Sequence, residues 1–333
     1  MMFSSTRRVV VPLAAGAAAL LALSACGSDG GAAAGGDYPA QPINVSAPAE
    51  PGSGWDTTAR AMVSSLEEEG LTDVPLPVQN QPGGTGCSWL TQMMGMSGED
   101  TDIAITSLAS QTMNQRGLCE YGPGDATMIA TLFTENFIVV ASADGEIGDF
   151  ETLMTALEED PASVPLAAAG DDRLPFALLA DEAGVDPADI RFVDYEGGGE
   201  QTNALLNGDA AVAIAGLSEF RGVLESGDLV PIVSFAPEAL EAPFDSVPIA
   251  VDEGYDVQLA NWRGVYGPAD MPEEAVSYWE GVLGEMVETA SWGETVERNQ
   301  WTPLFQTGDE MATYIDEADQ TVADGVEKTA IGN

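Results

Sequence analysis

The sequence predicts an α/β protein with mainly parallel sheets covered by helices, and three observations carry that reading. From Tyr38 onward, short apolar runs alternate with amphipathic segments of helical period. Glycine-bearing loops repeatedly follow a strand and open a helix. After Trp262 to Tyr266 the pattern turns to helices alone, which suggests that the chain crosses between two lobes and returns to finish on the first.

The chain opens with Met1 to Arg8, which ends in the basic pair Arg7 and Arg8, followed by an apolar run from Val9 to Leu23 and then Ser24-Ala25-Cys26-Gly27. A basic start, a hydrophobic stretch and small residues before a cysteine read as an export signal over residues 1–25, with lipidation of Cys26. That places the protein outside the cell interior, anchored to the outer face of the cytoplasmic membrane. Residues 26–37 form a Gly/Ala/Ser tether, so the folded body is expected from Tyr38.

Strands are expected near Ile43 to Val45, Val74 to Val78, Ile103 to Thr106, Met128 to Phe133, Phe137 to Ala141, Val164 to Ala168, Arg191 to Val193, Ala211 to Ile214 and Val230 to Ser234. Helices fit between them near Thr57 to Glu69, Gly86 to Met96, Phe150 to Glu158, Pro175 to Ala183, Glu200 to Asn207 and Ser218 to Glu225. The tail is read as helices over Pro272 to Ala290, Trp292 to Asn299 and Asp309 to Val322. Crossings near Val139 and Gln258 give one lobe of residues 38–138 and 259–333 and a second of residues 139–258.

The organising stretch is Val45 to Ala61. A strand runs into Pro51-Gly52-Ser53-Gly54, after which Ala59, Met62, Val63 and Leu66 mark a buried helical face. The first N–H groups of such a helix have no partners within it, and the helix dipole adds positive potential there, so the loop suits an anion. Asp56 is read as the cap of a helix beginning near Thr57. Trp55 fits either a staple onto that helix or a ligand platform.

The chain carries 55 acidic and 10 basic residues, a formal net charge of −45, and no histidine. Such a body repels nucleic acid and anionic lipid, so an anionic ligand would have to be held by local dipoles and a few arginines. Without histidine the commonest general base is missing, and with it the Ser-His and Cys-His nucleophile arrangements. Beyond Cys26 the cysteines are Cys87 and Cys119, suited to a disulfide after export and insufficient for a zinc site. No Gly-Lys-Ser/Thr phosphate loop or Gly-x-Ser-x-Gly elbow occurs.

Several motifs, taken in order, resemble one family. Tyr38-Pro39-Ala40-Gln41-Pro42-Ile43 and Ala47 through Asp56 with Arg60 are similar to its opening and first ligand loop. Asn80-Gln81-Pro82-Gly83-Gly84-Thr85-Gly86 resembles its second. Tyr195 to Gly199, Leu205 to Asp209, Val247-Pro248, Glu253-Gly254-Tyr255 and Trp262-Arg263-Gly264 follow in its order. The chain therefore resembles the extracytoplasmic receptors of tripartite tricarboxylate transporters, the TctC or Bug family.

The resemblance implies a type II periplasmic-binding-protein fold, with two α/β lobes closing on a ligand and a helical C-terminal tail. It also implies a monomeric receptor for a small, citrate-like tri- or dicarboxylate, without catalysis or cofactor. The receptor would dock on a permease of one large and one small membrane subunit. By position, Gly52, Ser53, Gly54, Trp55 and Asp56 would contribute from the first loop. Gly84, Thr85, Thr106 and Ser107 would complete that wall, with Gly170, Asp171, Asp172, Arg173 and Tyr195 opposite.

Asp171-Asp172-Arg173 stands where a small Gly/Ser pattern is common in the family. Two carboxylates there repel an anion unless they face solvent, pair with Arg173 or receive a metal carried with the ligand. Arg173 is the favoured charged ligand contact, ahead of Arg60 and Arg263. The competing readings are a receptor feeding a membrane sensor and an exported enzyme working through Asp56, Asp171 or Asp172.

Overall fold

A computed structural model describes residues 38–331 except Asp171 and Glu196. The export signal, the tether, Cys26 and Asp171 therefore lie outside the described residues. One ten-stranded sheet runs through the body in the order β2 (Val78–Asn80), β1 (Asn44–Ala47), β3 (Asp102–Ser107), β9 (Ala260–Gly267), β4 (Thr127–Ser142), β7 (Val212–Gly216), β5 (Leu166–Ala169) and β6 (Phe192–Tyr195), with β8 (Leu229–Ser234) and β10 (Thr302–Gln306) also paired to β4.

The first half follows from alternating strands and helices. Strand β1 (Asn44–Ala47) pairs in parallel with β2 (Val78–Asn80) and β3 (Asp102–Ser107). Helix α1 (Gly54–Glu69) turns Met62 and Leu66 against Ile43, Val45 and Ile103. Burying a side chain such as Leu66 stabilises by about 1.5–3 kcal/mol. Helix α2 (Cys87–Met94) follows β2, and the disulfide between Cys87 and Cys119 joins its first residue to the segment beyond α3 (Leu108–Gln115). Helix α3 was absent from the sequence expectation, because Ser110, Gln111 and Thr112 interrupt its apolar face. These polar groups are satisfied internally; Gln111 donates to the Ile315 carbonyl and accepts from the Trp262 indole.

The two strands expected at Met128 to Phe133 and Phe137 to Ala141 form one 16-residue strand, β4 (Thr127–Ser142). Thr134-Glu135-Asn136 looks like a break in sequence. The strand continues because Thr134, Glu135 and Asn136 pair with Trp262, Asn261 and Ala260 of β9 (Ala260–Gly267), and Glu135 is held by an arginine.

The second half is built on the far end of β4. Helix α4 (Phe150–Glu159) leads to β5 (Leu166–Ala169), followed by α5 (Leu174–Glu182), β6 (Phe192–Tyr195), α6 (Gly198–Asn207), β7 (Val212–Gly216), α7 (Leu217–Ser226) and β8 (Leu229–Ser234). Strand β5 pairs in parallel with β6 and β7, while β7 and β8 run antiparallel to β4. Successive β4 side chains enter opposite cores, as the two-residue strand period requires. Phe137, Val139 and Ala141 face the cluster containing Leu153 and Phe176, and Ile138 and Val140 face that of Phe220 and Leu205.

After β9 the chain forms α8 (Glu273–Val287), α9 (Ala290–Asn299) and α10 (Gly308–Thr329). The expectation of helices alone needs one correction. Strand β10 (Thr302–Gln306) lies antiparallel on β4, seated where Trp301 stacks on Phe133 at 3.8 Å. Helix α10 places Met311, Ile315 and Val322 in the same core as Phe137 and Phe176.

Candidate functional site

The cleft begins with the loop between β1 and α1. Ser53, not Asp56, is the N-cap of α1: its Oγ accepts the Asp56 N–H at 3.3 Å, so the helix starts three residues before the expected Thr57. Asp56 instead sits buried in the first turn. It accepts the Gly52 N–H at 2.9 Å and the Asn80 amide at 2.9 Å, and pairs with Arg60 at 2.9 Å. Burial works against its charge, but Arg60, the Gly52 N–H and Asn80 hold the carboxyl below its ordinary range. Asp56 is thus the strut that ties the loop to the end of β2.

Trp55 is buried beside the loop and donates its indole N–H to Ser107 Oγ at 3.0 Å. The same Ser107 oxygen caps α3 through the Ala109 N–H. Thr106 is buried and donates to Ser110 Oγ at 2.9 Å.

A cavity of about 40 Å³ opens where this wall meets the second half of the sheet. Ser53, Gly54, Trp55 and Thr85 line one side, with Ala49 and Ala109. Gly170, Asp172, Tyr195 and Gly197, at the ends of β5 and β6, line the other, with Ala169. The sides nearly touch at Gly170, whose φ is +47° and where an added Cβ would lie 2.2 Å from Thr85 Oγ1. A side chain there is excluded by space and by backbone angle together.

Two lining residues missing from the expected ligand set dominate the electrostatics: Glu219, in the first turn of α7, and Arg263, on β9. The Arg263 guanidinium donates Nε–H to Glu135 Oε1 at 2.9 Å and pairs with the same carboxylate through Nη2, while Glu219 Oε1 lies 3.9 Å from Nη2. Glu135 also accepts the Ser218 hydroxyl at 2.7 Å. Gly54 and Gly216 leave room for this network, since a Cβ on either would meet Arg263 and Glu219, or Glu135, within 3 Å.

Glu219 Oε2 accepts the Gly198 N–H at 2.9 Å, at the start of α6, and Gly54, whose N–H opens α1, lies beside Oε1, which a Cβ there would meet at 2.9 Å. Burial is the main force pushing this carboxyl above its ordinary range, with Glu135 adding to it; Arg263 and the two N–H groups oppose them. Arg263 is fully charged: burial disfavours the cation, but Glu135, Glu219 and Asp172 outweigh it and raise its pKa.

Other expected site residues stand apart from this cavity. Gly52 is exposed and lies outside the lining, as do Asp56, Thr106 and Ser107. Gly84 and Arg173 line a neighbouring groove with Arg116 and Glu200. Arg173 pairs with Asp194, donates to the Gly170 carbonyl at 3.2 Å and lies over the Phe192 ring. Sequence order could not reveal Glu219, because nothing local marks the residue whose side chain reaches two helix starts from a third helix. Arg263 carried a signal, as a lone cation inside an apolar strand.

Residues 68–329 match the tripartite tricarboxylate transporter family receptor, TctC. The chain belongs to that family. As a TctC receptor it is an exported solute-binding protein rather than an enzyme. This TctC chain is 22% identical over 300 residues to Protein BugT of Bordetella pertussis, covering 88% of this chain and 90% of that protein. Its fold is shared with R. palustris Rpa4515, solved with adipate, at a TM-score of 0.81 and 17% identity over 88% of this chain and 99% of the other. MatC from Rhodopseudomonas palustris, solved with bound malate, superposes at 0.77 with 19% identity, over 87% and 100% of the two chains. The comparison bears out the expected type II periplasmic-binding-protein architecture.

Proposed function

We propose that this receptor captures a small carboxylate of the tri- or dicarboxylate class between its lobes and presents the closed form to a membrane permease with one large and one small subunit. The observation that carries the reading is the cavity itself. It lies between the β1–α1 loop and the ends of β5 and β6, where the starts of α1 and α6 converge near the buried Arg263. The malate in MatC and the adipate in Rpa4515 support the ligand class. Ser53, Gly54, Trp55, Thr85, Gly170, Asp172 and Tyr195 are the proposed contacts, with Arg263 and Glu219 added.

The proposed lobes are residues 38–138 with 259–333, and 139–258. Closure needs only that the ligand bind the closed arrangement better than the open one. Export through residues 1–25 and a lipid on Cys26 would keep the receptor at the membrane as a monomer. Among the described residues no helix is long and apolar enough to cross a membrane.

The test is thermal unfolding against a panel of mono-, di- and tricarboxylates and amino and aromatic acids. A ligand at a hundred times its Kd adds about 2.7 kcal/mol to stability. A carboxylate that raises Tm in the wild type but not in Arg263→Gln supports the assignment. No shift with any acid, in folded protein, rules it out.

A further inference from the structure

We propose that Glu219 makes the cleft select a carboxylate ligand that also carries an ammonium group. The proposal rests on the carboxylate-receptor reading and narrows its ligand class.

The α1 start offers unpaired N–H groups and positive dipole potential to an anion. In this structure Glu219 occupies that position: its Oε2 accepts the Gly198 N–H at 2.9 Å at the start of α6, and its Oε1 lies beside Gly54 at the start of α1, where a Cβ on Gly54 would meet it at 2.9 Å. A ligand carboxylate seated against the same donors would displace Glu219 or lie against a second negative group.

The charge balance points the same way. The described groups lining the cavity are Asp172, Glu219 and Arg263, and Arg263 is already engaged by buried Glu135. Glu135 and Glu219 both face the one guanidinium, Glu219 from the greater distance of 3.9 Å. A plain dicarboxylate brings a further negative group to this set, whereas an ammonium beside Glu219 brings it a second cation. Glu219 resists ionisation because of burial and Glu135, so a cation close to it relieves a strain present before the ligand arrives.

The ligand's carboxylate then has Ser53, Thr85 and Tyr195, which also line the cavity, with Arg263 supplying the positive potential. Trp55 and the alanines give the carbon chain an apolar wall.

The experiment titrates the full protein by calorimetry with acids matched in length and differing in the amino group: succinate, malate and aspartate; glutarate and glutamate; propionate and β-alanine. Putrescine serves as the amine without an acid. In every pair that binds, the amino member is expected to be tighter by about tenfold or more, the factor a charge-assisted hydrogen bond gives. Glu219→Gln should erase that preference, and Asp172→Asn should reduce it.

Succinate or malate binding as tightly as aspartate overturns the inference and leaves the receptor reading intact. A preference that survives in a folded Glu219→Gln protein also overturns it. If that variant does not fold, the wild-type pairs decide alone. Putrescine binding with no acid bound, or silence across the whole series, overturns the carboxylate reading and the inference with it.

Discussion

At the scale of single residues, the balance of buried charge decides what can be changed. Glu135 is 2% exposed and Arg263 4%, and each is the other's partner across β4 and β9. Removing Arg263 leaves the buried Glu135 carboxylate without its cation, with Glu219 close by, and such a loss costs about 3–5 kcal/mol. Arg263→Ala should therefore destabilise by that amount in denaturant unfolding, more than Arg221→Ala, whose pairing with Glu225 lies on the surface. Asp56 gives a prediction with a pH sign. Its carboxyl is held below its ordinary value, so its contribution is present above the unfolded-state value near 3.8 and is lost as pH falls through the lower folded value. Wild-type stability should drop across that acid window, and Asp56→Asn should start less stable at pH 7 and lose less on acidification, as Tm against pH will show.

Among the secondary-structure elements, what the sequence revealed depended on how local the determining forces were. Helix α1 and the parallel strands β1 and β3 were legible because their apolar spacing is fixed by the face they bury. Helix α3 was not, since its polar residues find partners in α10 and β9, more than 150 residues away. The unity of β4 was hidden for the same reason, its middle being held by a distant arginine. At the site, the glycine loops were readable and the network of Glu135, Glu219 and Arg263 was not, because it assembles from β4, α7 and β9. The disulfide acts at this scale too. It ties the start of α2 to the segment after α3 across a separation of 32 residues. Opening a loop of that size should cost about 3–4 kcal/mol in the chain-entropy account. Cys87→Ser with Cys119→Ser should lose that much in urea unfolding while keeping the far-ultraviolet spectrum of the helices.

For the molecule as a whole, the net charge of −45 sets the behaviour. Self-repulsion among so many carboxylates favours the expanded chain, and added salt screens it within about 10 Å at 0.1 M. Tm should rise from 10 mM to 1 M sodium chloride, and calorimetric scans at fixed pH will measure it. A flat or falling dependence would show that local pairing has already absorbed the repulsion.

Strand β4 has a mechanical consequence at the same scale. It passes without interruption from the half bearing β9 and β10 to the half bearing β7 and β8, and its pairing slips register at Met128/Ala130, at Thr131/Phe133 and at Val139/Val140. Such irregularities locally increase strand twist. The two halves are thus joined at this crossing by a torsion bar, not a slack tether: in the proposed closure, rotation of one against the other would wind or unwind the segment around Glu135. The residue that anchors Arg263 lies on the axle itself, so that twist would act directly on the partner of the buried arginine.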